Sequence, residues 1–366
     1  MTIAVVGGGI FGLTAAIELR ARGHAVTLYE AGPIPHPLAE STDISKVVRI
    51  DYGADADYTE LGERALEGWR TSPLFHETGV TFLSRAPMQP GGFEHDSFAL
   101  LTSRGHPLER LDADAIARRF PAYRPGELVD GYWNPSGGWA ESGAVVAQLA
   151  ADARAAGLVI EDRAVDDLGA IRADLTIVCA GAWAARLVPE LAGSVRAIGQ
   201  PVFHVRPQDP ALFAAERFPV FGADIARTGY YGFPVTADGI VKIANHGTGV
   251  PIDSDAERVV SVAHEADLRS FLAATFPALA TAPIVHRRLC VYGDTLDGHF
   301  WIARHPARSD LVVATGGSGH AFKFAPVLGA LIADLALGVP HPLAHKFRWR
   351  PELAGRTRGD AARADR

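Results

Sequence analysis

Apolar residues open the chain in an unbroken run, change to helical spacing, and then return to strand spacing. Residues 2–6 predict a buried strand and residues 10–22 an amphipathic helix stopped by Gly23. Residues 25–29 predict a second strand, which finishes on Glu30. Further along, Leu61, Ala65, Leu66 and Trp69 place a helix over 57–69, and residues 80–83 read as a strand. A short helix over 112–120 has Asp112 as its N-cap and Pro121 beyond its end. Residues 131–133 predict a strand, 141–156 a helix that Gly157 stops, and 159–161 another strand. A buried strand within 173–183 runs into a turn of small residues, and Cys179 sits in it as a packed thiol. Strands are predicted at 202–205, 230–233 and 240–243, the last two joined as a hairpin through Asp238-Gly239. A helix over 254–276 follows, then strands at 289–292, 300–303 and 311–315. A helix over 322–337 comes last, with Gly338 as its stop. No internal repeat is visible. The polar stretch after Arg348 predicts a frayed tail.

The first three elements form a β-α-β unit whose turn reads Gly-x-Gly-x-x-Gly at Gly7, Gly9 and Gly12, with Ile10 and Phe11 inside it. Gly7 allows the tight turn, Gly9 lets backbone approach a pyrophosphate on the helix N-terminus, and Gly12 lets helix lie on strand. Glu30 stands where an acid meets a ribose hydroxyl. The unit predicts a dinucleotide and by itself does not choose between FAD and NAD. A second strand, glycine turn and helix recurs at 311–337, through Gly316-Gly317-Ser318-Gly319-His320. Its backbone N–H groups suit an anion or an electron-rich ring edge. Residues 31–37 carry Pro33, Pro35 and Pro37 and predict a loop. Polar and basic residues crowd the stretch from Glu40 to Gly53 that follows.

Composition narrows the class. A length of 366 residues, 48% of them hydrophobic and 21% charged, fits a soluble protein of two domains or one large one. A net charge of −7 without a basic patch argues against nucleic acid, and no apolar run is long enough to span a membrane. The first strand begins at residue 2, leaving no room for a signal peptide, and Cys179 and Cys290 are the only cysteines. Both features point to the cytoplasm. The histidines lack metal-ligand spacing, so no metal is expected.

Four stretches together resemble the FAD-dependent amine oxidases of the monomeric sarcosine oxidase family, within the D-amino acid oxidase-like superfamily. That group includes N-methyltryptophan, pipecolate and fructosyl amino acid oxidases (amadoriases). The stretches are the glycine motif, the segment from Lys46 to Gly53, and Tyr231-Gly232-Phe233-Pro234 with Lys242 and His246. The fourth is Cys290-Val291-Tyr292 with Asp297 to Phe300 and Gly316 to Phe324. The resemblance covers residues 2 to about 345 and implies the following roles. Cys290 bonds covalently to the flavin 8α-methyl group. Lys242 promotes reduction of O2, whose developing negative charge a fixed cation stabilises. Arg49 and Lys323 bind a substrate carboxylate. Tyr231 and His246 line the substrate pocket. Gly316, Ser318, Gly319 and His320 face the isoalloxazine, with Ser41, Thr42, Lys46 and Lys323 also at the cofactor. Sarcosine-specific members usually carry arginine where this chain has Lys46. The pattern Asp43, Lys46, Arg49 is closer to fructosyl amino acid and saccharopine oxidases, so a bulkier carboxylate-bearing amine is as good a candidate as sarcosine.

The expected fold is α/β: a Rossmann-like FAD domain over 1–76, 138–195 and 288–345, with an α+β substrate domain on an antiparallel or mixed sheet over 77–137 and 196–287. Residues 346–366 form a tail. The expected reaction takes hydride from the C–N carbon of an N-methyl, fructosyl or cyclic amino acid to flavin, giving an imine, and O2 becomes hydrogen peroxide. The expected partners are that amine and O2, and the expected state is a monomer. A dehydrogenase with another electron acceptor, a biosynthetic amino acid oxidase, an NAD-dependent dehydrogenase and a non-catalytic flavin sensor remain as alternatives.

Overall fold

Two sheets divide the molecule. A computed structural model describes residues 1–354. The first sheet has six strands in the order Trp301–His305, Arg308–Thr315, Leu175–Val178, Thr2–Val6, Ala25–Glu30 and Val159–Asp162. All neighbours are parallel except the edge pair Trp301–His305 and Arg308–Thr315. A parallel sheet needs cover on both faces, and its strands alternate accordingly. Ile3, Val5, Leu28, Ile177 and Val312 pack on the helical side with Leu13, Leu19 and Leu331. Ala4, Val6, Val178, Leu311 and Val313 pack on the other side with Val188, Leu191 and Trp301. The helices Ile10–Ala21 and Ala325–Leu337 lie so close that a Cβ at Gly329 would fall 2.3 Å from the Thr14 carbonyl oxygen.

The second sheet has nine strands and mixed direction. Its path runs Val250–Pro251, Val195–Val205, Val241–Asn245, Tyr230–Gly232, Val220–Ala223, Val80–Ser84, Asp130–Asn134 and Glu109–Asp112, with Ile284–Thr295 paired to Val195–Val205. Its core is aromatic: Tyr123, Phe203, Phe213, Phe218, Phe221 and Phe276 are all buried, against helix Val262–Thr275. A three-stranded sheet, Lys46–Arg49, Gly137–Ala140 and Phe75–His76, sits beside both.

The predicted elements are present, with boundary changes that have local causes. The hairpin through Asp238-Gly239 forms, with Gly239 at φ 73° and Gly232 opposite Ile243. Asp112 caps its helix by accepting from Ala115 N–H at 2.8 Å. The strand expected at 202–205 is the end of the much longer Val195–Val205, and the one expected at 289–292 is the middle of Ile284–Thr295; the two long strands pair along their lengths. Pro201 and the arginines at 287 and 288 hide them from propensity, because a partner strand rather than local sequence stabilises them. The helix expected over 254–276 begins only at Val262, after a capping box of Ser261 and His264. Upstream, Asp253 accepts from Asp255 N–H at 2.9 Å, a turn that competes with helix. The sequence reading missed helix Phe93–Ser103 and strand Gly137–Ala140. Fraying does not begin at Arg348: Trp349 packs edge-on to Trp301, and buried Arg350 donates to the Phe300 carbonyl at 3.1 Å.

Candidate functional site: two cavities with a shared wall

The first cavity, about 600 Å³, lies over the carboxyl ends of the parallel strands. Gly7 adopts φ 111°, and a Cβ there would fall 2.5 Å from the Cys179 carbonyl oxygen. At Gly12 a Cβ would fall 1.8 Å from the Gly7 carbonyl oxygen, so helix and turn touch through backbone. The helix opens at Gly9 with no side-chain cap and no acid in its first turn. Its early N–H groups therefore offer positive partial charge to the cavity. One of them, Ile10 N–H, donates to the Ser41 hydroxyl at 3.0 Å. Glu30 ends its strand with one carboxylate oxygen accepting from Gly8 N–H at 2.5 Å and the other from Ala31 N–H at 2.9 Å. Gly7, Gly9, Ile10, Phe11, Glu30, Ser41, Lys46 and Gly319 all line this cavity. Its size, its donor-rich helix end and its terminal acid fit a dinucleotide such as FAD.

The second cavity, about 50 Å³, gathers cationic side chains with no acid among its described lining residues. Lys46, Arg49, Tyr231, His246, His320 and Lys323 face it, opposite an apolar wall of Val80, Phe82, Val220, Phe221 and Ile225. Lys46, Gly319 and Phe322 line both cavities, so the two meet at that wall.

Arg49 comes from the last position of the strand Lys46–Arg49. Its guanidinium carbon stands 4.7 Å from the Tyr52 ring centre, 5.5 Å from Phe93 and 5.6 Å from Phe82. Its Nη1 is buried with no hydrogen-bond partner. Asp51, fully buried behind it, accepts from Tyr132 OH at 2.8 Å and partly balances the charge. Lys323, 5% exposed, donates to the His320 carbonyl at 2.8 Å and to the Tyr52 hydroxyl at 3.1 Å.

His320 completes a relay of hydrogen bonds. Its Nε2 faces the Gly298 carbonyl at 2.8 Å, and a carbonyl only accepts, so Nε2 carries the proton. Its Nδ1 therefore accepts from Tyr52 OH at 3.0 Å. Burial and then the charge of Lys323 hold its pKa well below the usual histidine value, which keeps the ring neutral and fixes this tautomer. Tyr52 thus links His320 to Lys323. The sequence reading included Tyr52 in a family-like stretch but assigned it no role.

Lys242 lies beside the site rather than in either cavity. It is 1% exposed, with Nζ 2.8 Å from Asp43 Oδ2, 2.5 Å from the Ser45 carbonyl and 4.7 Å from the Phe233 ring centre. Burial pushes the Lys242 ammonium down to about 8, while Asp43 opposes that shift. Burial pushes the Asp43 carboxyl up, but Lys242, His204 and Lys46 together hold it well below the usual carboxylate range. Around Lys46 burial works against the ammonium. Cys290, Asp43 and Tyr231 favour it more, and its pKa rises.

The remaining predicted residues fall around the two cavities. Cys290 is free and 1% exposed, clustered with Val202, Ala244 and Tyr292; its neighbour Val291 lines the first cavity. Ser318 is buried at φ 47° and accepts from Thr295 N–H at 3.1 Å, which shapes the turn from Gly316. The Thr42 carbonyl accepts from Arg288. Thr42, Gly316 and Ser318 line neither cavity. Glu40 does, and no role was read for it. Its carboxylate accepts from Gly319 N–H at 3.0 Å and Gly293 N–H at 3.2 Å, and burial pushes it up to about 7. An acid between a proline loop and a basic segment was the available signal. Among the described residues, no three histidine, cysteine or acidic side chains group as a metal site, and no helix is long and apolar enough to cross a membrane.

The family described as FAD dependent oxidoreductase matches residues 2–335. Monomeric sarcosine oxidase from Bacillus sp. (strain B-0618) is 28% identical over 360 residues, covering 92% of each chain. N-methyl-L-tryptophan oxidase from Salmonella heidelberg (strain SL476) is 29% identical over 365 residues, covering 92% of this chain and 94% of the relative. Among solved structures, the deglycating fructosamine oxidase (Amadoriase II) of Aspergillus fumigatus superimposes with a TM-score of 0.83. That match covers 99% of this chain and 93% of that one at 24% identity, a likeness of fold.

Proposed function

This chain belongs to the FAD dependent oxidoreductase family, and from that premise we propose that it oxidises a secondary amine bearing a carboxylate, with O2 reduced to hydrogen peroxide. The observation that carries this reading is Arg49: a half-buried cation whose buried Nη1 has no hydrogen-bond partner, facing a cavity that shares a wall with the dinucleotide cavity. A buried guanidinium nitrogen left unpaired costs free energy that a carboxylate would recover. We take residues 1–76, 138–195 and 288–345, which carry the six-stranded sheet, as the FAD domain, and residues 77–137 and 196–287 as the substrate domain.

Bound FAD supplies a hydride acceptor for the carbon next to nitrogen. The chain does the rest. Arg49 and Lys323 anchor the carboxylate, and Tyr52, locked by His320, holds the Lys323 ammonium in place. The amine must be neutral to release hydride. Lys46, Arg49 and Lys323 disfavour a further positive charge in the cavity, which assists loss of the ammonium proton. Val80, Phe82, Phe221 and Ile225 take the apolar part of the substrate. Tyr231 and His246, with rings 6.5 Å apart and perpendicular, close the opposite side. Lys242 is the cation for O2 reduction. Cys290 would tether the ring as a thioether; its thiol is free, and it acts on Lys46, which lines both cavities. The buried free thiols also favour a cytoplasmic setting.

A peroxide-coupled assay in air tests the proposal. The panel holds sarcosine, N-methyl amino acids, proline, pipecolate, saccharopine and fructosyl amino acids. Peroxide with at least one member is the expected result. Anaerobic bleaching of the flavin without aerobic peroxide would replace the oxidase reading with a dehydrogenase. Acid precipitation should leave the yellow colour with the protein, and free FAD in the supernatant would remove the Cys290 tether.

A further inference from the structure

Lys242 is enclosed, and the groups that lead from it to solvent stand in a row. Antiparallel pairing puts His204 directly opposite Lys242, and His286 directly opposite His204 on the next strand. Directly paired residues share one face of a sheet. His204 is largely buried and His286 is exposed. The two rings are tilted against each other with centres 4.9 Å apart. Asp43 closes the inner end. Its Oδ2 is 2.8 Å from Lys242 Nζ, and its Oδ1 is 3.6 Å from His204 Nε2. That second distance is just beyond hydrogen-bond reach of roughly 3.2 Å, and His204 Nε2 is buried with no other hydrogen-bond partner.

Reduction of O2 to H2O2 consumes two electrons and two protons; hydride transfer from the amine brings both electrons and one proton, and the nitrogen proton that the amine sheds in becoming an imine balances the second. That proton is released in the substrate cavity, so a group elsewhere that protonates the reduced oxygen must regain its own proton from solvent. Lys242 is the cation assigned to that step, and this inference rests on that assignment. An ammonium that gives up a proton while 1% exposed cannot recover it directly from bulk water. The Ser45 carbonyl beside it only accepts. We propose that Asp43, His204 and His286 form a proton path that connects buried Lys242 with solvent and reprotonates it after each reduction of O2.

The chemistry of the row suits the task. A carboxylate between an ammonium and an imidazole accepts from one and passes to the other. Imidazole takes a proton on one nitrogen and releases it from the other. The charged and titratable groups facing Lys242 are Asp43, Lys46 and Cys290, and those facing His286 are His204, Asp43 and Arg288. Burial, followed by His204, lowers the His286 pKa, so its ring is neutral and free to accept at neutral pH.

Two measurements on the holoenzyme test the path. The first follows reoxidation of the reduced enzyme by O2 in stopped flow for wild type, Lys242→Met, His204→Gln and His204→Ala. The path predicts that His204→Ala slows reoxidation about tenfold or more, while anaerobic reduction by substrate is little changed. It also predicts that added imidazole restores much of the His204→Ala rate and that His204→Gln, which cannot shuttle a proton, stays slow. Wild-type reoxidation in both His204 variants while Lys242→Met is slow would overturn the path and leave the Lys242 assignment standing. Wild-type reoxidation in Lys242→Met would remove both. The second measurement is independent of turnover: the His286 titration midpoint by NMR. Burial and then His204 hold the His286 pKa below the usual histidine value, so His204→Gln should raise the midpoint. An unchanged midpoint would mean that the two rings are not coupled, and would contradict the path.

Discussion

The dinucleotide cavity and the charged cavity share a wall but are built from different materials. The first is shaped by backbone: Gly7, Gly12 and an uncapped helix end, with Glu30 as its terminal acid. The second is shaped by side chains: Lys46, Arg49, Tyr231, His246, His320 and Lys323 crowd about 50 Å³. Backbone sites tolerate no added atoms, whereas side-chain sites tolerate shape changes but not loss of charge or of a hydrogen bond. The contrast predicts that substitutions in the first region act on folding and cofactor loading, and those in the second on substrate kinetics in a folded protein.

The largest effect should come from Gly12→Val. The new Cβ would sit 1.8 Å from the Gly7 carbonyl oxygen, so strand and helix must separate. A loss of about 4 kcal/mol or more is expected, visible as little soluble yellow protein and a collapsed melting transition. A stable, flavin-loaded Gly12→Val protein would break the contrast from the backbone side.

Next is Arg49→Ala. It should fold, bind flavin, and lose about 3 kcal/mol of transition-state stabilisation, which is roughly a hundredfold in kcat/KM. Tyr52→Phe sharpens the comparison within the charged cavity. It removes the hydroxyl between Lys323 and His320 and should cost about 1 kcal/mol, or roughly fivefold, in substrate affinity. Steady-state kinetics at fixed pH would measure both.

The smallest effect is a pH slope. Glu40, which reaches into the backbone-built cavity, has its carboxyl raised to about 7. A raised acid binds its proton more tightly in the folded state. Its contribution to stability is present in full below the ordinary carboxylate range and is lost as pH rises through about 7. Glu40→Gln should flatten the fall of melting temperature between about pH 4.5 and 7. An unchanged slope would mean that Glu40 is not carrying this linkage.

The contrast also explains what could be read from the chain alone. The dinucleotide unit is local: strand, turn, helix and terminal acid occupy the first 30 residues, and each leaves its own periodicity or glycine signal. The charged cavity draws Arg49, Phe82, Phe221, Tyr231, His246 and Lys323 from separate elements that only the folded sheets bring together. No periodicity announces such a gathering, so Arg49, Tyr231, His246 and Lys323 were legible only through family resemblance, and Phe82 and Phe221 were not legible as site residues. The partnership of Lys242 with the Ser45 carbonyl spans 197 residues of sequence and was not legible at all. Neither was the His320–Tyr52–Lys323 chain, because a hydrogen-bond relay depends on side-chain direction rather than on residue type.

The central claim is that a substrate carboxylate binds Arg49 across the wall from the flavin. The most direct test titrates the yellow holoenzyme with a short aliphatic carboxylate and follows the flavin absorption band. A saturable spectral shift in wild type, abolished in Arg49→Ala and retained in Arg49→Lys with weaker affinity, is the predicted result. An equal shift in wild type and Arg49→Ala would contradict it and place the carboxylate elsewhere.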